Sequence, residues 1–151
     1  MMKKVQAPPE ADSDREPRTQ TAALPWRRTE AGGLEVLLIT SRETQRWVIP
    51  KGWPIKGLGL PKTAAREAFE EAGVTGELGK KKLGVYHYEE RLRSGRVQQV
   101  RVSVYALKVA AERDAWPEAQ QRERRWLATA AAAELVQEAE LAELIRSFAG
   151  D

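Results

Sequence analysis

Glu67, Glu70 and Glu71 stand at positions i, i+3 and i+4. On an α-helix that spacing brings three carboxylates to one face. Three neighbouring anions repel one another unless a cation sits among them. Gathered on a rigid element, they offer the hard oxygen donors that suit Mg²⁺ or Mn²⁺, metals that keep room for substrate phosphates. The competing explanation is a solvated acidic face neutralised by Arg66, Lys62 and water, the usual fate of a charge run.

The element that must carry these groups is an alanine-rich run from Pro61 to Gly73. Proline at the first helical position and glycine just past the last are start and stop signals. Ala65, Ala68, Phe69 and Ala72 are expected to face the core. Upstream, Trp47-Val48-Ile49-Pro50-Lys51-Gly52-Trp53-Pro54 reads as a short apolar strand entering a Gly/Pro loop. From Gly52 the chain runs thirteen residues to Arg66-Glu67, then Ala68, Phe69, Glu70-Glu71, Ala72, Gly73 and Val74.

This register resembles the Nudix box, G-x5-E-x7-R-E-U-x-E-E-x-G-U, in which U is a bulky apolar residue. Two positions depart from it. Ala68 is small for the first U, and Leu58 stands where the box has its first Glu. Further stretches are similar to the diphosphoinositol-polyphosphate and diadenosine-polyphosphate phosphohydrolase branch, in its bacterial form. They are residues 46–53, residues 70–76, Leu83-Gly84-Val85-Tyr86 and Arg122-Glu123-Arg124-Arg125-Trp126.

The resemblance implies hydrolysis of a diphosphate linked to another moiety, with divalent metals neutralising phosphate charge and activating water. It implies Glu67 and Glu71 as principal metal ligands, Glu70 as ligand or base, and the Lys51 carbonyl as a further ligand. Arg66 belongs to the catalytic set and needs a partner in place of Leu58, such as Glu70. Glu89, Glu90 and Glu123 are candidates for a base outside the box. Arg18, Arg42, Lys51, Gly52 and Arg122 are the expected substrate-binding positions, with Arg27, Arg46 and Arg91 behind them. Arginine suits phosphate through its planar fork, although each of these taken singly is ordinarily a solvated surface residue. Trp53 is placed either to stack on a nucleobase or to cap the core edge, and His87 is read as a strand residue with structural contacts, with reach to a phosphate as the alternative.

The chain of 151 residues supports one domain with a sizeable core. With 42% hydrophobic and 31% charged residues it falls in the ordinary globular range. No apolar run of membrane-spanning length occurs, and no apolar segment follows Lys3 and Lys4, so a cytoplasmic location is expected. Absence of cysteine excludes disulfides and thiolate chemistry. A net charge of +3 argues mildly against a nucleic-acid partner. The expected partner is a small polyphosphate, and a homodimer is possible.

Residues 1–17 read as a flexible tail, and residues 18–149 as the folded domain. Strands are expected at residues 19–26, with Pro25 suggesting an edge, and at residues 34–40, buried on both faces. Further strands are expected at residues 46–49, 77–83, 84–91, 97–109 and 124–127. The run Lys80-Lys81-Lys82 is expected to be solvated. Residues 128–149 read as helix, broken near residues 137–140, with Leu135, Leu141, Leu144, Ile145 and Phe148 as its apolar positions. The order implies an α/β fold, an α/β/α sandwich around a mixed central sheet. Two other functions share these features: an RNA 5′-end or nucleoside triphosphate pyrophosphohydrolase, and a non-catalytic nucleotide-binding module. The intact glutamate set argues against the second.

Overall fold

The computed structural model describes residues 18–150. The expected tail at residues 1–17 lies outside them. Eight strands and three helices follow one another: β1 (Arg18–Arg28), β2 (Leu34–Thr40), β3 (Trp47–Val48), β4 (Lys51–Gly52), α1 (Leu60–Ala72), β5 (Val74–Leu78), β6 (Gly84–Arg91), β7 (Val97–Glu112), β8 (Arg124–Ala128), α2 (Thr129–Leu135) and α3 (Ala139–Ser147). The strands form one mixed sheet, with β1 and β7 parallel and the other pairs antiparallel.

Strand alternation splits the core into two layers. Ala22, Leu24, Trp26, Val36, Leu38, Val100, Val102 and Val104 face α2 and α3. Ala23, Leu37, Ile39, Tyr105 and Leu107 face the opposite way, against Ala64, Ala68 and Ala72 of α1. The sheet is therefore covered on both sides, as an α/β/α sandwich requires. β2 is buried on both faces as expected, and the break between α2 and α3 falls in the expected place.

Four expectations need correction. Pro25 does not mark an edge, because β1 lies between β2 and β7. It is accommodated where the antiparallel ladder changes partner, from β4 at Thr21 and Ala22 to β2 at Trp26. The strand placed at residues 77–83 begins at Val74 and ends at Leu78. Gly73 takes a left-handed φ of 70°, which turns the chain straight from α1 into β5, and the exposed lysine run lies beyond the strand. Ala65 and Phe69 are only half-buried, because the α1 stripe against the sheet runs through Ala64, Ala68 and Ala72. Leu135, at the end of α2, is 40% exposed.

Candidate functional site

α1 owes its bounds to Gly59 at the N-cap, Pro61 in the first turn and Gly73 at the C-cap. Its three small alanines let it lie close to the sheet. One helical step away from that stripe are Glu67, fully buried, and Glu71, 6% exposed. Burial of two carboxylates is costly unless they are paired or ligated. Here they lie beside each other and against β4. The Lys51 N–H donates to Glu71 Oε1 at 3.2 Å. A Cβ on Gly52 would fall 2.4 Å from Glu67 Oε2, so the bare glycine backbone forms the floor on which that carboxyl rests.

Electrostatics follow from the burial. Desolvation pushes the Glu71 carboxyl well above the usual carboxylate range; Arg122 opposes the shift, and a hydrogen bond with Glu67 adds to it. Desolvation also lowers the Lys51 ammonium, with Glu71 and Glu90 opposing. The Lys51 Nζ sits 4.8 Å from the Tyr88 ring centroid, and the Tyr88 hydroxyl donates to Gln20 Oε1 at 2.7 Å. Lys51 thus joins the two sides of the site: its backbone meets the α1 carboxylates and its ammonium meets the aromatic wall.

Glu70 stands apart from the buried pair. Its side chain is 19% exposed, and its Oε2 accepts from Arg66 Nε at 2.9 Å. That contact supplies the partner expected for Arg66 in the absence of a carboxylate at Leu58. Among the described residues, no group of three or more His, Cys, Asp or Glu side chains is gathered into a metal cluster. The donor set is nevertheless suited to Mg²⁺ or Mn²⁺: two adjoining buried carboxylates on a rigid helix, beside strand backbone, with remaining positions for water and phosphate.

The other expected residues are dispersed. Arg18 opens β1 in register with Val100. Arg42, in the turn after β2, donates to Gln121 Oε1 at 3.1 Å. Arg122 was expected to grip substrate, but only 8% of its side chain is exposed. Its Nε donates to Glu118 Oε1 at 2.7 Å and its Nη1 to the Thr40 carbonyl at 3.1 Å. Its Nη2 lies 3.7 Å from Glu71 Oε1. Its side chain is thus largely buried and engaged with protein acceptors.

Among the candidate bases, Glu89 accepts from Gln99 Nε2 at 2.7 Å. Glu123 is exposed, and Glu90 is partly desolvated beside Lys51. Trp53 packs at the edge of the core. His87 binds Glu140 through its backbone N–H (2.8 Å) and its ring Nδ1 (3.1 Å).

Sequence reasoning missed Trp116, Glu118 and Arg124, which hold the end of α1. Trp116 Nε1 donates to the Glu71 carbonyl at 3.0 Å, and Arg124 Nη1 to the Ala72 carbonyl at 2.8 Å. Their partners lie about fifty positions away in sequence (|i−j| of 45 and 52), and no local spacing links them. It also missed the pair of Arg46 with Glu138 at 2.8 Å, in which Glu138 is 10% exposed.

The NUDIX domain profile matches residues 17–148. Nudix hydrolase 4 of Arabidopsis thaliana is 33% identical over 138 residues, covering 87% of this chain and 65% of its own. Diphosphoinositol polyphosphate phosphohydrolase 2 of Rattus norvegicus is 32% identical over 115 residues, covering 75% and 60%. This chain therefore spans less than two thirds of the length of these curated relatives. A C. elegans Ap4A hydrolase structure superposes with a TM-score of 0.63 at 23% identity, over 85% of this chain and 93% of that one, a likeness of fold. By its motif, its sheet and the extent of the profile match, the chain belongs to the Nudix family.

Proposed function

We propose that this chain is a metal-dependent hydrolase that cleaves a diphosphate linkage in a small polyphosphate. Diadenosine polyphosphates, diphosphoinositol polyphosphates and related nucleoside diphosphate derivatives make up the substrate class. The observation that carries this reading is the buried Glu67–Glu71 pair, set against the bare backbone of Gly52 and Lys51. A surface helix would not keep two carboxylates out of water without an occupant to repay the desolvation.

Glu67, Glu71 and the Lys51 carbonyl would hold Mg²⁺ or Mn²⁺. When bound, the metal supplies charge neutralisation at the diphosphate and lowers the pKa of a bound water. The protein's own residues do the rest. α1 fixes the two carboxylates relative to β4. Gly52 leaves room for the Glu67 carboxyl to lie against β4. The Lys51 ammonium, partly stripped of water, is suited to a phosphate oxygen, and Arg18 and Arg42 would meet the more distant part of the substrate. Glu70, aimed by Arg66, would serve as a further ligand or accept a proton from the attacking water. Trp53 serves mainly to close the core edge.

Among the described residues, no helix is long and apolar enough to cross a membrane. A cytoplasmic site of action and a possible homodimer complete the proposal.

The test is phosphate or nucleotide release from a panel with Mg²⁺ and with Mn²⁺. The panel holds diadenosine polyphosphates, diphosphoinositol polyphosphates, ADP-ribose, nucleoside triphosphates and 5′-triphosphate RNA. Release that disappears in Glu67→Gln and Glu70→Gln supports the reading, and the preferred member names the substrate. No release from any member, with ligand binding still seen by thermal shift, overturns hydrolysis in favour of a binding module.

A further inference from the structure

An α-helix leaves its last carbonyls without partners inside the helix. At the end of α1 each of these is met by a donor from one distant segment, residues 113–124. The N–H of Glu118 donates to the Glu70 carbonyl at 3.1 Å. The indole of Trp116 donates to that of Glu71 at 3.0 Å. Arg124 Nη1 takes the Ala72 carbonyl at 2.8 Å, and the N–H of Arg113 takes that of Gly73 at 2.8 Å. The segment is itself tied together, because Arg124 Nη2 donates to the Arg113 carbonyl at 2.6 Å and the Arg124 guanidinium stacks 4.0 Å from the Trp116 ring. It presents cationic groups to the negative end of the helix dipole, where they are favourable.

The same segment reaches the buried carboxylate. Arg122 is anchored at two corners of its fork, by Glu118 at 2.7 Å and by the Thr40 carbonyl at 3.1 Å. The third corner is left 3.7 Å from Glu71 Oε1. That same oxygen accepts from the Lys51 N–H. Glu71 is thus held between β4 in front and Arg122 behind. The planar guanidinium spreads its donors in fixed directions to reach these separated acceptors, whereas a lysine ammonium would offer its three donors from a single atom on a flexible stem.

We propose that residues 113–124 form a positioning clamp on α1, and that Arg122 within it is the positioning residue that sets Glu71 for its cation. This rests on the metal reading of the Glu67–Glu71 pair. It gives Arg122 a role in metal affinity in place of the substrate grip expected from its sequence position. Arg66 is occupied with Glu70, so bracing of Glu71 falls to Arg122. Residues that orient metal ligands typically change affinity or activity by 10–100-fold when altered.

The test compares wild type with Arg122→Met and Glu118→Gln. Binding of Mn²⁺ is followed by the electron paramagnetic resonance of free Mn²⁺, with no substrate present. The metal half-saturation of hydrolysis and the substrate KM are measured beside it. The expected result is Mn²⁺ affinity about tenfold or more weaker in Arg122→Met, a matching rise in metal half-saturation, and KM at saturating metal within about twofold. Glu118→Gln, which keeps Arg122 but loosens its anchor, should shift the same way by less. It is also the deciding variant if Arg122→Met fails to fold. Unchanged Mn²⁺ binding with a raised KM would overturn the proposal and make Arg122 a substrate group. Unchanged values throughout would overturn it also. A wild type that binds no Mn²⁺ would overturn the metal reading itself, and the role of Arg122 with it.

Discussion

Gly52→Ala puts the floor of the site to a direct test. The methyl group added at Gly52 lands 2.4 Å from Glu67 Oε2, 2.5 Å from its Cδ and 3.1 Å from its Cγ, whereas ordinary contact starts at 3.4 Å. The carboxyl therefore has to retreat by about 1 Å, and it is fully buried with little space to retreat into. Because the colliding atoms end a flexible side chain, Glu67 should move and the domain should still fold. Overpacking of this kind costs about 1–3 kcal/mol of stability. A 1 Å error at a reacting centre costs on the order of 10²-fold in rate. The assay is kcat on the preferred substrate, with Mn²⁺ affinity and the thermal midpoint measured in parallel. The expected result is a fall in kcat of about a hundredfold with a midpoint only a few degrees lower. Adding Glu67→Asp withdraws the carboxyl by one methylene, so the double variant should be less impaired than the two single effects combined predict. A Gly52→Ala protein with kcat within about threefold of wild type, under 1 kcal/mol by the rate conversion, would refute the idea that close approach of Gly52 and Glu67 sets the site.

Leu58→Glu should raise turnover by less than about tenfold, because Arg66 already pairs with Glu70 and a partly exposed pair is worth up to about 1 kcal/mol; a hundredfold rise in kcat would show that the substitute pairing fails. Gly73→Ala should cost about 1–2 kcal/mol for the left-handed φ alone, and more because its Cβ would fall 2.7 Å from Arg124 Nη1 and 2.8 Å from Trp116 Cδ2; urea unfolding measures it. In metal-free protein the raised Glu71 carboxyl binds more protons folded than unfolded. Its contribution should therefore fall as pH rises from the unfolded carboxylate value through the raised folded one. Denaturant titrations across that range, with and without Mg²⁺, should show a slope that metal reduces, and an unchanged slope would separate Glu71 from the metal. Arg46→Met should destabilise by about 3 kcal/mol, because it strands the buried Glu138 carboxylate; chemical denaturation reads the loss, and a change below about 1 kcal/mol would place the pair with surface salt bridges.

Much of this was legible along the chain because it depends on short-range periodicity. The i, i+3, i+4 spacing and the Pro61 and Gly73 boundaries announce a helix bearing carboxylates on one side. The alternation in Val100, Val102 and Val104 marks a half-buried strand, and the apolar run at β2 marks a strand buried on both faces. The misreadings share a cause. Pro25 reads as an edge residue because propensity ignores where a strand changes partners. Ala65 and Phe69 read as core residues because which helical stripe meets the sheet is set by packing, and small alanines bring α1 closer than a phenylalanine would.

The sequence by itself determined the helix that holds Glu67, Glu70 and Glu71, the Gly52 loop before it, and the order of strands and helices that gives the sandwich. These follow from interactions between residues a few positions apart, which the repeats of helix and strand impose. Only the tertiary structure decided that Glu67 and Glu71 are buried together. It alone decided that the side chain of Arg122, 51 positions beyond Glu71 in the chain, is largely buried and lies 3.7 Å from that carboxylate. The physical reason is that burial, desolvation and the pairing of charges depend on which distant segments come together, and no local pattern records that choice.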